Sequence, residues 1–96
     1  MLIRSQDKRQ LIELNNIRIE VNKYITYGEN KHGFYYNVEC PNGVLGKYTS
    51  EEKALKVLDM IEAEYNAPIY INKIAYQYEK YDHEVFHMPE DSEVTV

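Results

Sequence analysis

Two stretches that alternate apolar and polar side chains constrain this chain more than anything else in it. Ile17, Ile19 and Val21 interleave with Arg18, Glu20 and Asn22, while Phe34, Tyr36, Val38 and Cys40 interleave with Tyr35, Asn37 and Glu39. Successive side chains on a strand point to opposite faces, so this pattern describes a sheet with one buried and one wet face. The first strand continues through Tyr24–Tyr27 with a slip in the alternation, which predicts a bulge. A polar segment bounded by Gly28 and Gly33 separates the two strands. Pro41-Asn42-Gly43 is a turn, because Pro presets one dihedral and Asn-Gly tolerates positive φ. Val44–Tyr48 returns as a further strand, in which Gly46 marks a bulge or a close backbone approach.

The flanking segments complete an α+β reading. Leu2–Ser5 and Gln10–Leu14 form a short hairpin around a Gln6–Arg9 corner. Thr49 and Glu52 have capping-box spacing, and Ala54, Leu58, Ile61 and Tyr65 follow at helical intervals, with Leu55, Val57 and Met60 widening the stripe. Asn66-Ala67-Pro68 ends that helix, placed at residues 50–65. A short second helix is expected over 70–80, a strand over Glu84–Met88, and a frayed acidic tail over 89–96. The expected fold is a four- to five-stranded antiparallel sheet packed on one face by the main helix. At 96 residues and 11.4 kDa the chain has room for a single domain, 1–96.

Charge and composition narrow the function classes. The formal net charge is −5, which disfavours direct DNA or RNA binding because phosphate neutralisation needs a cationic face. The charge is uneven: residues 1–50 hold seven Lys/Arg against five Asp/Glu, and residues 51–96 hold four against eleven. A locally basic sheet beside an acidic helix therefore leaves room for a small anionic ligand. A single cysteine makes no internal disulfide, no apolar run is long enough to cross a bilayer, and Met1–Asp7 lacks a signal-peptide core. A cytoplasmic protein with no membrane partner is expected. Ten tyrosines stand against two Phe and no Trp. Tyrosine suits surfaces that are half buried and half wet, so the excess reads either as cross-strand packing or as an oligomer interface that stacks on a planar ligand.

Few residues suggest covalent chemistry. His83-Glu84-Val85-Phe86-His87 matches the zinc-protease motif, in which two histidines one helical turn apart share a metal while Glu polarises its water. Pro89 would stop that helix, and only Glu90, Asp91 and Glu93 remain downstream as third ligands. The match reads as an accident on a short strand, so no metal and no cofactor is expected. Cys40 ends an apolar alternation and belongs to the core. Gly43–Lys47 lacks the spacing of a phosphate loop. The carboxylates of residues 51–64 read as the solvated side of the helix. The polar sheet face is the better candidate: Tyr can stack, and Arg and Asn can donate hydrogen bonds.

Three blocks carry a family resemblance. Ile3-Arg4-Ser5-Gln6-Asp7-Lys8 with Leu11, Leu45-Gly46-Lys47-Tyr48 running into Glu51-Glu52-Lys53-Ala54 and Val57-Leu58-Ile61, and Val85-Phe86-His87-Met88-Pro89-Glu90 together resemble small proteins of phages and mobile elements of Gram-positive bacteria. In size, composition and genomic habit such proteins are similar to counter-defence proteins, among them Thoeris anti-defence sponges of nucleotide signals and anti-CRISPR inhibitors. The resemblance implies a non-enzymatic protein that sequesters an ADP-ribose-derived or cyclic nucleotide, or else an acidic protein–protein inhibitor of a defence nuclease. On the first reading Arg4 and Arg18 hold phosphates, and Gln6 and Asn37 read polar edges. Tyr35, Tyr36 and Tyr76 stack on or close over the ligand, and Lys47 adds positive field. A lone small sheet offers little enclosure, so the site is expected at the interface of a homo-oligomer, at least a dimer.

Overall fold

The Phe34–Cys40 alternation folds as a strand, whereas of the Ile17–Asn22 alternation only Glu20–Asn22 do: Ile17, Arg18 and Ile19 precede the strand without joining a ladder. The computed structural model describes residues 1–15, 17–28, 31–65 and 85–96. Strands β1 (Leu2–Arg4), β2 (Leu11–Glu13), β3 (Glu20–Gly28), β4 (Lys31–Cys40) and β5 (Gly43–Tyr48) precede helix α1 (Glu51–Tyr65), and β6 (Val85–His87) lies near the C-terminal end. β3, β4 and β5 form an antiparallel sheet in that order. The β3–β4 register runs unbroken from Glu20 opposite Glu39 to Gly28 opposite Lys31, so the bulge expected near Tyr24–Tyr27 is not there. The irregularity lies between β4 and β5. Val38 opposes Gly46 and Glu39 opposes Val44, which leaves Leu45 unmatched and turned into the core, where it is buried.

The remaining strands correct the expectation of a single antiparallel sheet of four or five strands. β1 pairs antiparallel with β2 and parallel with β6, making a second three-stranded sheet ordered β2-β1-β6. Both edges of β1 are thus occupied, and it cannot join the larger sheet. The period-two pattern shows which face of a strand is buried but carries no information about its neighbours, and a parallel partner arrives only over a long connection. The expected second helix over 70–80 lies outside the described residues.

The hairpin corner is built as its polar residues suggest. Asp7 Oδ1 accepts from Ser5 Oγ at 2.6 Å and from the Arg9 amide at 3.0 Å, while Lys8 takes a positive φ of 70°. Ser5, almost wholly buried, also accepts from the Gln10 amide at 3.1 Å.

Helix α1 packs across β3, β4 and β5. Its buried stripe is Ala54, Val57 and Ile61; Leu58 and Met60 are half-buried, and Leu55 and Tyr65 are exposed. The stripe is narrower than expected. These residues share one core with Ile3, Val38, Leu45, Tyr48 and Met88, so both sheets drain into the same apolar centre. Each Val, Leu, Ile or Met among them contributes about 1.5–3 kcal/mol by leaving water. Cys40 is a free, buried thiol of that core.

The helix cap also differs from expectation. Ser50 Oγ accepts from the Lys53 amide at 3.2 Å, so Ser50 is the capping residue and no capping box with Glu52 forms. Thr49 is engaged elsewhere. Asp91 Oδ1 accepts from the Thr49 amide at 2.8 Å and from Thr49 Oγ1 at 3.0 Å, and Asp91 Oδ2 lies 3.1 Å from Lys53 Nζ. The segment expected to fray is therefore held: residues Asp91–Glu93 form a short 3-10 helix and Val94 is buried. Its acidity gives it an anchor, because the Asp91 carboxylate finds a cation and two donors at the start of α1.

Candidate functional site

The register of β3, β4 and β5 assembles the polar face. Asn22 opposes Asn37 and Tyr24 opposes Tyr35 across β3–β4, while Asn37 opposes Lys47 across β4–β5. Asn22, Asn37 and Lys47 therefore form one row across the sheet. Directly opposed strand residues lie close enough to interact, and here they do.

Glu39 is the hub. Its Oε1 accepts from Asn22 Nδ2 at 2.6 Å and from Tyr24 Oη at 2.7 Å, and its Oε2 accepts a longer contact of 3.4 Å from Asn37 Nδ2. The Tyr24 hydroxyl, then the two amides, hold the Glu39 carboxyl below its ordinary range, against the opposing effect of burial. The same contact raises the Tyr24 phenol above its ordinary value. Glu20 stands directly opposite Glu39, so two carboxylates mark one end of the face.

Aromatic rings and a cation occupy the other part. The Tyr24 and Tyr35 rings stack with centroids 5.3 Å apart and planes 17° from parallel. Lys47 Nζ lies 4.2 Å from the Tyr35 centroid, a contact worth about 0.5–1 kcal/mol at an exposed site. Beside them, opposite Asn22 and Lys47 in register, sits Asn37, 8% exposed, whose Oδ1 has no hydrogen-bond partner among the described residues. An amide oxygen left in that state costs about 1–3 kcal/mol, and a donor supplied from outside would recover it.

The expected site residues divide accordingly. Tyr35, Asn37 and Lys47 come together. Arg18 is exposed and lines a cavity of about 420 Å³ with Glu20, Glu39 and Asn42, adjoining the acidic end of the face. Tyr36 lies on the opposite face of β4 from Tyr35 and packs, half-buried, against the core, because neighbours on a strand diverge. Gln6 is consumed by structure: its Nε2 donates to Lys47 O and to Pro89 O, each at 3.1 Å, and its Oε1 accepts from the Lys47 amide at 2.9 Å. Arg4 sits on β1 in the other sheet, between Leu11 and His87 in register, away from the row formed on β3, β4 and β5. Tyr76 lies outside the described residues.

Sequence reasoning placed Glu20, Asn22 and Glu39 on polar faces but did not assign them to the site, and it missed Tyr24. Their signal is the pairing register, which alternation alone does not supply. His87 lies on strand β6, inside the expected Glu84–Met88 strand, whereas His83 and Glu84 fall outside the described residues. Among the described residues no group of three or more His, Cys, Asp or Glu is placed to hold a metal ion, and no helix is long and apolar enough to cross a membrane.

A second cavity, of about 490 Å³, lies between α1 and the segment leading into β3. Leu14, Ile17, Ile19, Leu58 and Ile61 line it together with Asp59 and Glu62, and none of the expected site residues does. Comparison with protein-family models, with curated proteins and with solved structures found no match to this chain.

Proposed function

We propose that this chain is a non-catalytic phage-type counter-defence protein that binds a nucleotide immune signal, ADP-ribose-derived or cyclic, and holds it without cleavage. The observation that supports this most is the unpartnered Asn37 Oδ1, in a row between Asn22 and Lys47 and beside the stacked tyrosine pair. An exocyclic amine of a base is a donor of the right kind for that oxygen. The carboxylates of Glu39 and Glu20 suit ribose hydroxyls, since a carboxylate offers about four acceptor positions and Glu39 already uses three. Lys47 and Arg18 supply the cations that phosphates need.

Magnitudes then require a second copy. Nanomolar retention corresponds to about −12 kcal/mol. One stacked base contributes about 1–3 kcal/mol, and a charge-assisted hydrogen bond about 1.5–3 kcal/mol. One open sheet face falls short, so the reading includes a homo-oligomer. Isothermal titration with ADP-ribose, cyclic ADP-ribose species and cyclic dinucleotides tests it. The expected result is tight binding that Asn37→Ala and Lys47→Ala each weaken, with the ligand recovered intact after heat release. No binding of any of these at millimolar nucleotide would overturn it.

A second reading is favoured by the Asp91 anchor. By tying the C-terminal segment to Thr49 and Lys53, it brings exposed Glu90 and Glu93 toward the helix start, where Glu51 and Glu52 are also exposed. Such an acidic cluster fits an inhibitor that occupies the basic groove of a nuclease. Salt-sensitive capture of a purified defence nuclease, abolished by Glu51→Lys with Glu93→Lys, is the result this reading expects.

A further inference from the structure

We infer that the outer edge of β3 pairs antiparallel with β3 of a second copy, with Tyr24 on the two-fold axis. The strand order leaves β3 at the edge of its sheet, and no described residue pairs with its outer side. An edge strand of nine residues presents a row of unpaired amides and carbonyls, and proteins usually guard such edges with proline, bulges or projecting charges. β3 has no proline, and its register with β4 is unbroken.

Three of the side chains that could guard the edge lean the other way. Asn22 and Tyr24 both reach inward to Glu39 on β4. Lys23 places its Nζ 4.0 Å from the centre of the Phe34 ring, also on β4. Among the described residues the outer side of the β3 backbone has no strand partner, and the remaining charge, Glu20, stands at the first position of the strand.

The register follows from length and charge. Placing Tyr24 on the axis is the arrangement that pairs all of Glu20–Gly28 with its copy, from Glu20 against Gly28 inward. It sets Lys23 opposite Ile25 of the second copy. A slip of one residue each way, which would set Lys23 against Lys23, opposes like charges and leaves strand ends unpaired. Ile25 is 49% exposed and lies on the face away from the polar row, so its surface is available to a partner. An edge pairing of this length falls at the small end of interfaces, so the dimer depends on concentration.

This inference stands on the strand order and is independent of the nucleotide reading, so its test uses protein without nucleotide. Sedimentation velocity is run over a concentration series on the native chain, Ile25→Lys and Ile25→Glu. The native chain is expected to dimerise. Ile25→Lys brings two like-charge pairs across the interface and raises the dissociation constant roughly tenfold, whereas Ile25→Glu, set against Lys23, keeps or tightens the dimer. In parallel, exchange of the alternate amides of residues 22–26 that β4 leaves unpaired is expected to slow as concentration rises. A monomer throughout, equal effects of the two substitutions, or amide protection independent of concentration overturns the inference; the last would mean that the same chain covers the edge.

Discussion

Tyr48 folds back against Gly46, two residues earlier on the same strand: a Cβ at position 46 would stand 2.8 Å from Tyr48 Oη and 3.1 Å from Met88 Cε. The phenol cannot swing away freely, because its hydroxyl donates to Pro89 O at 2.8 Å and its ring is buried. Gly46→Ala is therefore expected to destabilise the fold by about 1–3 kcal/mol through overpacking. Urea unfolding measures it. In a Tyr48→Phe background the Oη clash and its tether to Pro89 O are gone, while ring carbon Cε2, 2.9 Å from a Cβ at position 46, remains. The freed ring should therefore lower the cost only in part, read as a double-mutant cycle.

Gln6 separates a structural role from a recognition role. Its side chain makes three hydrogen bonds, to both polar groups of the Lys47 backbone and to Pro89 O, and so fastens the first hairpin to β5 and to the C-terminal segment. Gln6→Ala is expected to lower stability by about 1–3 kcal/mol. Nucleotide affinity, measured where both forms are fully folded, should change little. A selective loss of affinity with unchanged stability would return Gln6 to the binding site.

Ser50 and Thr49 make a paired test of the helix start. Ser50→Ala removes the cap and should cost about 1 kcal/mol, read by thermal or urea unfolding. Thr49→Ala instead withdraws a donor from Asp91, so its effect should concentrate in faster amide exchange at Val94. The Asp91 carboxyl is held below its ordinary range first by the Thr49 amide and then by Lys53 and the Thr49 hydroxyl. A carboxyl lowered on folding stabilises above its unfolded value and loses that contribution as pH falls through its folded value. The anchor should accordingly release below the ordinary Asp value of 3.8, ahead of the core if the two are separable by exchange.

What the sequence revealed and what it hid follow one physical division. Local periodicity is written in neighbouring residues, so β3–β5, the first hairpin and α1 were all legible, as was the crowding around Gly46. Partners distant in sequence were not. Nothing in Val85–His87 announces that it lies parallel to β1, and nothing in Thr49-Ser50 shows that Asp91 will claim the threonine and leave the serine to cap the helix. The site divides the same way. Tyr35, Asn37 and Lys47 lie together because alternation put them on one face, whereas Tyr36 was lost to the parity of the strand and Gln6 to contacts with Lys47 and Pro89.

Glu39 gives the polar face a pH window with two edges. Hydrogen bonds from Tyr24, Asn22 and Asn37 hold its carboxyl below the ordinary 4.5, so the network stabilises fully above that value and is lost as pH falls through the lower, folded one. Tyr24 sets the alkaline edge. Its phenol is raised above the ordinary 10.0, mainly by donating to Glu39, so its contribution is complete below that value and lost as pH rises through the folded one. Carbon-detected NMR titration of the Glu39 carboxyl should show the lowered midpoint. Tyr24→Phe should move that midpoint upward, and Asn22→Ala should move it upward by less, following the order of their effects. Stacking with Tyr35 survives Tyr24→Phe, so a midpoint that stays in place in this variant would show that Tyr24 does not hold the carboxylate. If Glu39 accepts from a nucleotide ribose, affinity for ADP-ribose should fall over the same acidic range, and Glu39→Gln should make it independent of pH there.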